Sequence, residues 1–592
     1  MNLTTEQRKA VLASDNALIV ACPGSGKTRT IIAKLIRCID DVRGTPRKVA
    51  CITYTNAAVD EIEDRFRVHG AAGDEDYCEV STIHTFCLAN VLARFYWHLP
   101  QYENGFRVAP PDSQDYVRIA KQTLESRCID STRTEELELI NREPDGTPTV
   151  SGAITAAVAN QFWERLEQEG LVDFPNIVYW SYQLMVNRAS ISHALACRFA
   201  WILVDEFQDT SALQVEILKL IAADGRTRFC LVGDPHQSIY GFAGARPSLM
   251  DEFADVIAAR RDFSLSGNFR SSPAIISHAE RLLPRTPPME AVGNAALLAE
   301  QPFCVDSDDA FQTIISRFLK VLDGLQIPYG RCAILAPSWF FLFPLGRRLS
   351  EYGVPVFGIG ARPYKRQHVF ALLAEQICSY IAKPSPEKIA HVERELFFML
   401  ARATGNPNYR VFSYSGRRMV FRLLKGGERL KRDHRDAVGW LRAAASHYQE
   451  ILSTEEFLPR SCSSVLSESV CGMCEDMQRR RVDTAALTTD DLGLFADPAQ
   501  NLKLLTIHGA KGREFDGVAI VDLQENHLPH WSANTDLKKL EESKRVFYVA
   551  ITRARRVLMY VTNSDDLRNP PSRFLSIVLA HGAESTVAGA NR

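Results

Sequence analysis

A chain of 592 residues is too long for one hydrophobic core, so several domains are expected. Hydrophobic residues make up 46% and charged residues 24%, which is ordinary for a globular chain, and the net charge of −2 excludes a global basic field. Any nucleic-acid partner must then meet a local positive surface.

From Leu3 to about Ile83 the pattern alternates helix and strand, with Leu18–Ala21 and Val49–Thr53 reading as buried parallel strands. The segment Met1 to Lys9 is polar and does not read as a signal peptide. Between the first strand and an amphipathic helix (Ile31, Ile32, Leu35, Ile36) stands Cys22-Pro23-Gly24-Ser25-Gly26-Lys27-Thr28-Arg29. Such a strand–loop–helix is what a phosphate-binding P-loop requires: Gly24 and Gly26 let backbone N–H groups close around phosphate oxygens, and Lys27 reaches the β/γ-phosphates. The Thr28 hydroxyl can ligate Mg²⁺, and the helix N-terminus favours an anion. Ala21 departs from the strict pattern, which has glycine there.

From about His84 to Phe199 the chain reads as mostly helical, interrupted at Pro100, Pro110–Pro111 and Glu143–Pro148. Strands return at Trp201–Val204 and Phe229–Val232. The first ends in Asp205-Glu206, carboxylates that either cap the next helix or, with a P-loop upstream, serve catalysis. Asp205 would then hold Mg²⁺ through water, and Glu206 would orient and deprotonate the attacking water. After the second strand, Gln237 is placed to sense a γ-phosphate, and Tyr240 and Phe242 are either core residues or platforms for unpaired bases.

A second α/β signal runs from Phe303 to about Phe357 and resumes at Leu502–Leu505 and Gly517–Val521. The most apolar run, Cys332 to Leu345, is broken by Pro337 and Pro344 and is shorter than the ~18–20 residues of a bilayer span, so no membrane role is expected. Roughly Tyr364 to Pro498 is helical and rich in charge. Within it, Tyr409 to Arg435 carries Arg410, Arg417, Arg418, Arg422, Lys425, Arg429, Lys431, Arg432 and Arg435, with Phe412, Tyr414 and Phe421 between them. Such a segment is either a duplex-contacting surface or a solvated helical face. Fourteen cysteines without framework spacing read as reduced thiols of a cytoplasmic protein, and Cys462, Cys471 and Cys474 lack a clear fourth zinc ligand.

Taken together, these blocks resemble superfamily 1A helicases of the UvrD/Rep/PcrA family. Leu3-Thr4-Thr5-Glu6-Gln7-Arg8 is similar to the Q motif, which implies that Gln7 reads adenine. Thr53-Tyr54-Thr55-Asn56-Ala57-Ala58 and Ser81-Thr82-Ile83-His84-Thr85-Phe86 resemble motifs Ia and Ib, which implies single-stranded DNA contacts by Thr55, Asn56, Thr82 and His84. Asp205 to Thr210 resembles motif II, and Gly233 to Phe242 motif III, with Phe242 where the family usually has tryptophan. Leu265 to Ser271 resembles motif IV; Phe269 replaces a tyrosine that stacks on adenine, and Arg270 would touch the γ-phosphate. Leu505 to Phe515 looks like motif V, implying that Thr506 and His508 face DNA and Glu514 the ribose, although Gly509 and Arg513 replace a usual serine and leucine. Val546 to Ala554 resembles motif VI, with Arg553 as the arginine finger.

The resemblance implies two RecA-like parallel-sheet motor domains, each with a mainly helical insertion. The expected boundaries are 1–85 and 199–275 for the first core, 86–198 for its insertion, 276–363 and 499–592 for the second core, and 364–498 for a short second insertion. It further implies ATP and Mg²⁺ as cofactors, hydrolysis at the cleft between the cores, single-stranded DNA and duplex junctions as partners, and 3′→5′ movement. Too little chain follows motif VI for the nuclease domain of recombination relatives, so cleavage would come from a partner. The build also loosely resembles the helicase-like subunit of two-gene anti-phage systems such as Gabija, which implies as an alternative a DNA-stimulated ATPase or sensor serving a nuclease.

Overall fold

The computed structural model describes residues 2–580 apart from 72, 112, 132, 151, 153, 359–361, 405–413, 460–461, 480–481, 483, 486 and 497–498. Arg410 and Phe412 of the basic segment therefore lie outside the described residues. The chain divides into two compact units. One takes the residues up to Ala299, Ser532–Thr552 and those from Ile577; the other takes Glu300–Trp531 and Arg553–Ser576.

The first unit is built on six strands: β1 (Ala17–Ala21), β2 (Lys48–Thr53), β3 (Cys78–Thr82), β4 (Phe199–Val204), β5 (Arg228–Gly233) and β6 (Arg260–Leu265). Their order is β6-β1-β5-β4-β2-β3, and every pairing is parallel. Strands covered on both faces read as continuous apolar runs, and β4 is buried along its whole length. The helix Lys27–Asp40 turns Ile31, Ile32, Leu35, Cys38 and Ile39 to this sheet, the spacing of one helical face. The stretch expected to be helical from 86 to 198 also holds two short strand pairs, Arg107–Val108 with Leu171–Val172 and Asn141–Arg142 with Pro148–Thr149. It encloses its own core around Tyr116, Phe162, Trp163 and Leu166.

The second unit repeats the plan with β7 (Phe303–Asp306), β8 (Cys332–Ala336), β9 (Val356–Gly358), β10 (Leu502–Thr506), β11 (Phe515–Ile520) and β12 (Ala554–Thr562). Their order is β7-β12-β11-β8-β10-β9, again all parallel. The fold is thus α/β with two RecA-like parallel sheets. The apolar run at 332–345 splits into β8 and the helix Trp339–Glu351, with Pro344 inside the helix. No helix of the described residues is long and apolar enough to cross a membrane. Helices between β9 and β10 pack on one another around Leu396, Trp440, Tyr448 and Met473. There the Cys462 thiol donates to the Ala403 carbonyl (3.3 Å) and Cys471 is exposed. Among the described residues no three His, Cys, Asp or Glu side chains converge as metal ligands.

Packing cuts the chain elsewhere than at the expected boundaries. Residues 276–299 and Ser532–Thr552 belong to the first unit. The reason is the helix Leu537–Ile551, whose Tyr548 is fully buried and accepts a hydrogen bond from Arg285 (3.0 Å).

Candidate functional site

Ligands of open parallel sheets bind outside the carboxyl ends of the strands. In the first unit nearly all the predicted site residues lie there, in the segments that follow β1 to β6. Gly24 has φ +70°, and a Cβ on it would stand 2.6 Å from Arg270 Cβ and 2.8 Å from Asn268 Oδ1. The loop is thus pressed on the segment after β6, where the Phe269 N–H donates to Gly24 O (2.9 Å). Asn268 Oδ1 accepts the amides of Arg270 and Ser271. Gly26 (φ +78°) has equally little room, because its Cβ would lie 2.8 Å from Gln7 Nε2. Gln7 is itself occupied: Nε2 donates to Ser25 O (2.8 Å), and Oε1 accepts Thr4 N–H in a reciprocal helix cap. Its amide therefore braces the P-loop. Burial pushes the Cys22 thiol up to about 12, so it stays protonated. Arg29 is exposed and Phe269 partly exposed.

Lys27 Nζ donates to Glu206 Oε2 at 3.3 Å. Glu206 sits in the left-handed region (φ 50°), conformational strain of the kind found at functional sites. Its N–H donates to Asp205 Oδ1 (3.0 Å), and its carboxylate also accepts Gln208 Nε2 (2.5 Å). Burial, and then the charge of Glu206, raise the Asp205 carboxyl above the usual range.

From Glu206 the polar contacts continue. Gln208 Oε1 accepts the Asp234 N–H (2.9 Å), and Asp234 Oδ2 accepts Gln237 Nε2 (2.6 Å). Arg285 donates to the other oxygen of Asp234 and, through Nε, to the Tyr548 hydroxyl. Burial alone would favour neutral Asp234, but Arg285 and Lys27 outweigh it and hold the carboxyl below its usual range. Arg545 Nε donates to Ser238 O (2.7 Å), and Glu542 accepts Gly241 N–H (2.9 Å). Arg270 Nη1 donates to the Thr552 carbonyl at 3.2 Å. One connected array therefore joins Lys27 to the helix Leu537–Ile551.

Asp234 is fully buried and Arg285 nearly so. Removing one partner of such a pair leaves an uncompensated charge. Arg285→Ala is expected to cost about 3–5 kcal/mol of stability. Chemical denaturation measures this, and a loss below ~1 kcal/mol would mean the pair carries no such weight. Because the Asp234 pKa is depressed in the fold, the contribution is full above the unfolded carboxyl pKa and fades as pH falls through the folded one.

The nucleic-acid candidates divide. Tyr54 and Tyr240 stack (5.2 Å between centroids, 17° apart), and Phe242, 54% exposed, meets Tyr240 edge-on. A shallow cleft lined by Thr53, Tyr54, Asp205, Glu206, Thr210 and Gln214 brings Tyr54 to the same hollow as the carboxylates. Thr55 and Asn56 are exposed at the start of their helix, whereas Thr82 is buried as a helix cap. His84 lies edge-on to Phe174, and burial lowers its pKa to about 4. It is neutral at physiological pH and offers no charge to phosphate. In the second unit Thr506 and His508 follow β10, at the carboxyl edge of the sheet, and Thr506 Oγ1 accepts Gly509 N–H. Glu514 and Arg553 stand instead at the amino ends of β11 and β12. Glu514 pairs with Arg555 (3.1 Å), and Arg553, 1% exposed, donates to Arg513 O (3.1 Å).

Residues 3–257 match the UvrD/REP helicase N-terminal domain, and residues 475–565 match the UvrD-like helicase C-terminal domain. The chain belongs to the UvrD/PcrA-like helicases. An ATP-dependent DNA helicase PcrA of Staphylococcus epidermidis is 26% identical over 639 residues, covering 97% of this chain and 86% of the relative. The PcrA helicase of Staphylococcus aureus is 25% identical over 640 residues, with the same coverage.

Fit to a nucleoside triphosphate and a divalent cation can be tested on this UvrD-like helicase directly. The positive φ at Gly24 and Gly26 and the absence of room for a Cβ leave a backbone cradle beside Lys27. Thr28 hydroxyl and Asp205 carboxylate are hard oxygen donors of the kind magnesium takes. Thr53 Oγ1 and Asn268 Nδ2 are buried at this edge without a hydrogen-bond partner. The residues fit both groups. Sequence reasoning missed Arg285, Tyr548, Arg545 and Glu542 as parts of one array, and missed Tyr54 as the partner of Tyr240. Arg285 lies outside every motif, and nothing in its neighbourhood marks it.

Proposed function

We propose that this chain is a cytoplasmic ATP-driven motor that moves 3′→5′ along single-stranded DNA and separates duplex strands. The observation that carries the reading is the array from Lys27 and Glu206 through Gln208 and Asp234 to Gln237, beside a cleft that Glu206 shares with Tyr54, the ring stacked on Tyr240. Bound ATP with Mg²⁺ supplies the phosphoanhydride bond and a cation that neutralises its charge. Lys27 holds the terminal phosphates, and Thr28 and Asp205 hold the cation. Glu206 takes a proton from the attacking water, while Arg270 and Arg553 stabilise charge on the transferred phosphoryl group. Gln237 is bonded to Asp234, so a change at its amide is felt by Arg285 and Tyr548. Stacking at Tyr54, Tyr240 and Phe242 and polar contacts at Thr55, Asn56, Thr506 and His508 grip the strand without reading its sequence. The direction of movement rests on the resemblance of the motifs to the family and on no residue contact.

The test is ATP hydrolysis with and without oligo(dT), together with displacement of 3′-tailed, 5′-tailed and blunt duplexes by the purified chain. Stimulation by the single strand and displacement from the 3′ tail are expected. Turnover indifferent to DNA would end the motor reading. Stimulation without displacement would favour a DNA-stimulated ATPase that serves a nuclease. Phe242→Ala is expected to weaken single-strand binding by about 1–3 kcal/mol and to slow movement per ATP consumed. Stopped-flow translocation on oligo(dT) reads this, and an unchanged rate would make stacking there dispensable.

A further inference from the structure

Thr53 closes β2 at the carboxyl edge of the first sheet, and its hydroxyl has no role in the chemistry described so far. The residue is 2% exposed, and Oγ1 is buried without a hydrogen-bond partner. A buried hydroxyl left unpaired costs stability that valine, of the same shape, would not cost. Such a group calls for a partner that the chain does not supply, either water or an ion with its water.

The neighbours of Thr53 say which. Ile52 pairs with Val204 across β2 and β4, and the Asp205 N–H donates to Ile52 O (2.8 Å), so the ladder sets Thr53 beside Asp205. Side chains alternate between the faces of a sheet. Ile52 and Val204 are buried in one layer, while Cys51 and Leu203 pack with Ile31, Ile32 and Leu35 of the helix Lys27–Asp40. By the same alternation Thr53 and Asp205 turn to the side of the helix that opens on Lys27 and Thr28. On its other flank Thr53 pairs with Thr82, whose hydroxyl is spent on the amide and hydroxyl of Thr85. One Asp205 oxygen accepts the Glu206 N–H, and Lys27 and Gln208 donate to Glu206. The groups around Thr53 are thus those assigned above to the triphosphate and its cation.

We propose that the Thr53 hydroxyl is a positioning group for the divalent cation that accompanies ATP, holding with Asp205 a water of the cation's shell. The inference rests on the nucleotide site read above and adds to it a residue with no contact to phosphate. In the order β1-β5-β4-β2, Thr53 stands three strand spacings from the P-loop strand, roughly 14 Å. That span excludes direct ligation beside Thr28 but leaves Thr53 next to Asp205, one spacing away. Magnesium dehydrates reluctantly and keeps several waters when it binds carboxylate and phosphate. Each such water has protons to donate, and a hydroxyl offers two acceptor lone pairs.

The experiment uses the full chain with Thr53→Val, which removes the hydroxyl at constant shape, and Thr53→Ser, which keeps it. A fluorescent, non-hydrolysable ATP analogue is titrated with Mg²⁺ and, separately, bound in EDTA. Removing a group that orients a metal's ligands costs about 10–100-fold in metal affinity. For Thr53→Val the Mg²⁺ concentration at half-saturation is therefore expected to rise about tenfold or more. Affinity in EDTA should stay at the parent value, and the nucleotide-free protein should unfold at or above the parent temperature. Thr53→Ser is expected to keep the parent Mg²⁺ midpoint. An unchanged midpoint in Thr53→Val would overturn the proposal. So would an equal loss of affinity with and without Mg²⁺, because the hydroxyl would then act on the nucleotide or on packing. Unfolding of the nucleotide-free valine variant at a lower temperature would overturn it too, since a permanent water would then already satisfy the hydroxyl. ATPase of the parent protein that ignores oligo(dT) would instead strike the motor reading, and the Mg²⁺ midpoints would still decide Thr53.

Discussion

Glu206→Gln is expected to lower ATP turnover by about 10²–10⁴ while leaving nucleotide and single-strand binding near the parent level. Glutamine has the same shape and can still take up the contacts with Lys27 Nζ and Gln208 that the carboxylate accepts at 3.3 and 2.5 Å. What it lacks is the capacity to accept a proton from water. The loss corresponds to about 3–5 kcal/mol of barrier, so it should appear in kcat rather than in KM. Steady-state hydrolysis at saturating oligo(dT), with nucleotide affinity measured by fluorescence, separates the two. Turnover within twofold of the parent would remove Glu206 from the chemistry and point to another acceptor at the carboxyl edge of the sheet.

A larger effect is expected of Arg553→Ala, a loss of about 10³–10⁵ in hydrolysis with DNA binding retained, which is the range for a guanidinium that stabilises phosphoryl transfer. The carbonyl of Thr552, the residue before it, is held by Arg270 at 3.2 Å, and Arg270 Cβ lies against the Gly24 loop. The Arg553 side chain donates to Arg513 O, so alanine also deletes a buried contact, and thermal unfolding must accompany the assay. Arg553→Lys is the sharper variant, because it keeps the charge but loses the planar fork. If lysine restores parent turnover, Arg553 contributes charge alone. If alanine hydrolyses ATP normally, it contributes nothing to the reaction.

Much of the first unit could be read from local pattern. Leu18–Ala21 and Trp201–Val204 are short apolar runs, and each ends in residues whose chemistry names a function: glycines and a lysine, or two carboxylates. Strand ends carry ligand loops, so placing the strand also places the residue. Gln7 is different. Its position is legible, but its amide is spent on Ser25 and on its own helix cap. His84 has a pKa lowered by burial, which no spacing in its segment announces.

By itself the chain's order of residues determined two α/β cores, the P-loop and the Asp205-Glu206 pair, because each rests on periodicity or chemistry within a few neighbouring positions. The tertiary structure decided what depends on residues far apart in the chain. It set Arg285 between Asp234 and Tyr548, laid Tyr54 on Tyr240, and packed the helix Leu537–Ile551 with the first unit. The physical reason is that a buried charge must be neutralised by whatever the fold brings within about 3 Å, and an aromatic face is covered by whichever ring the sheet presents. Neither requirement leaves a trace in the residues on either side.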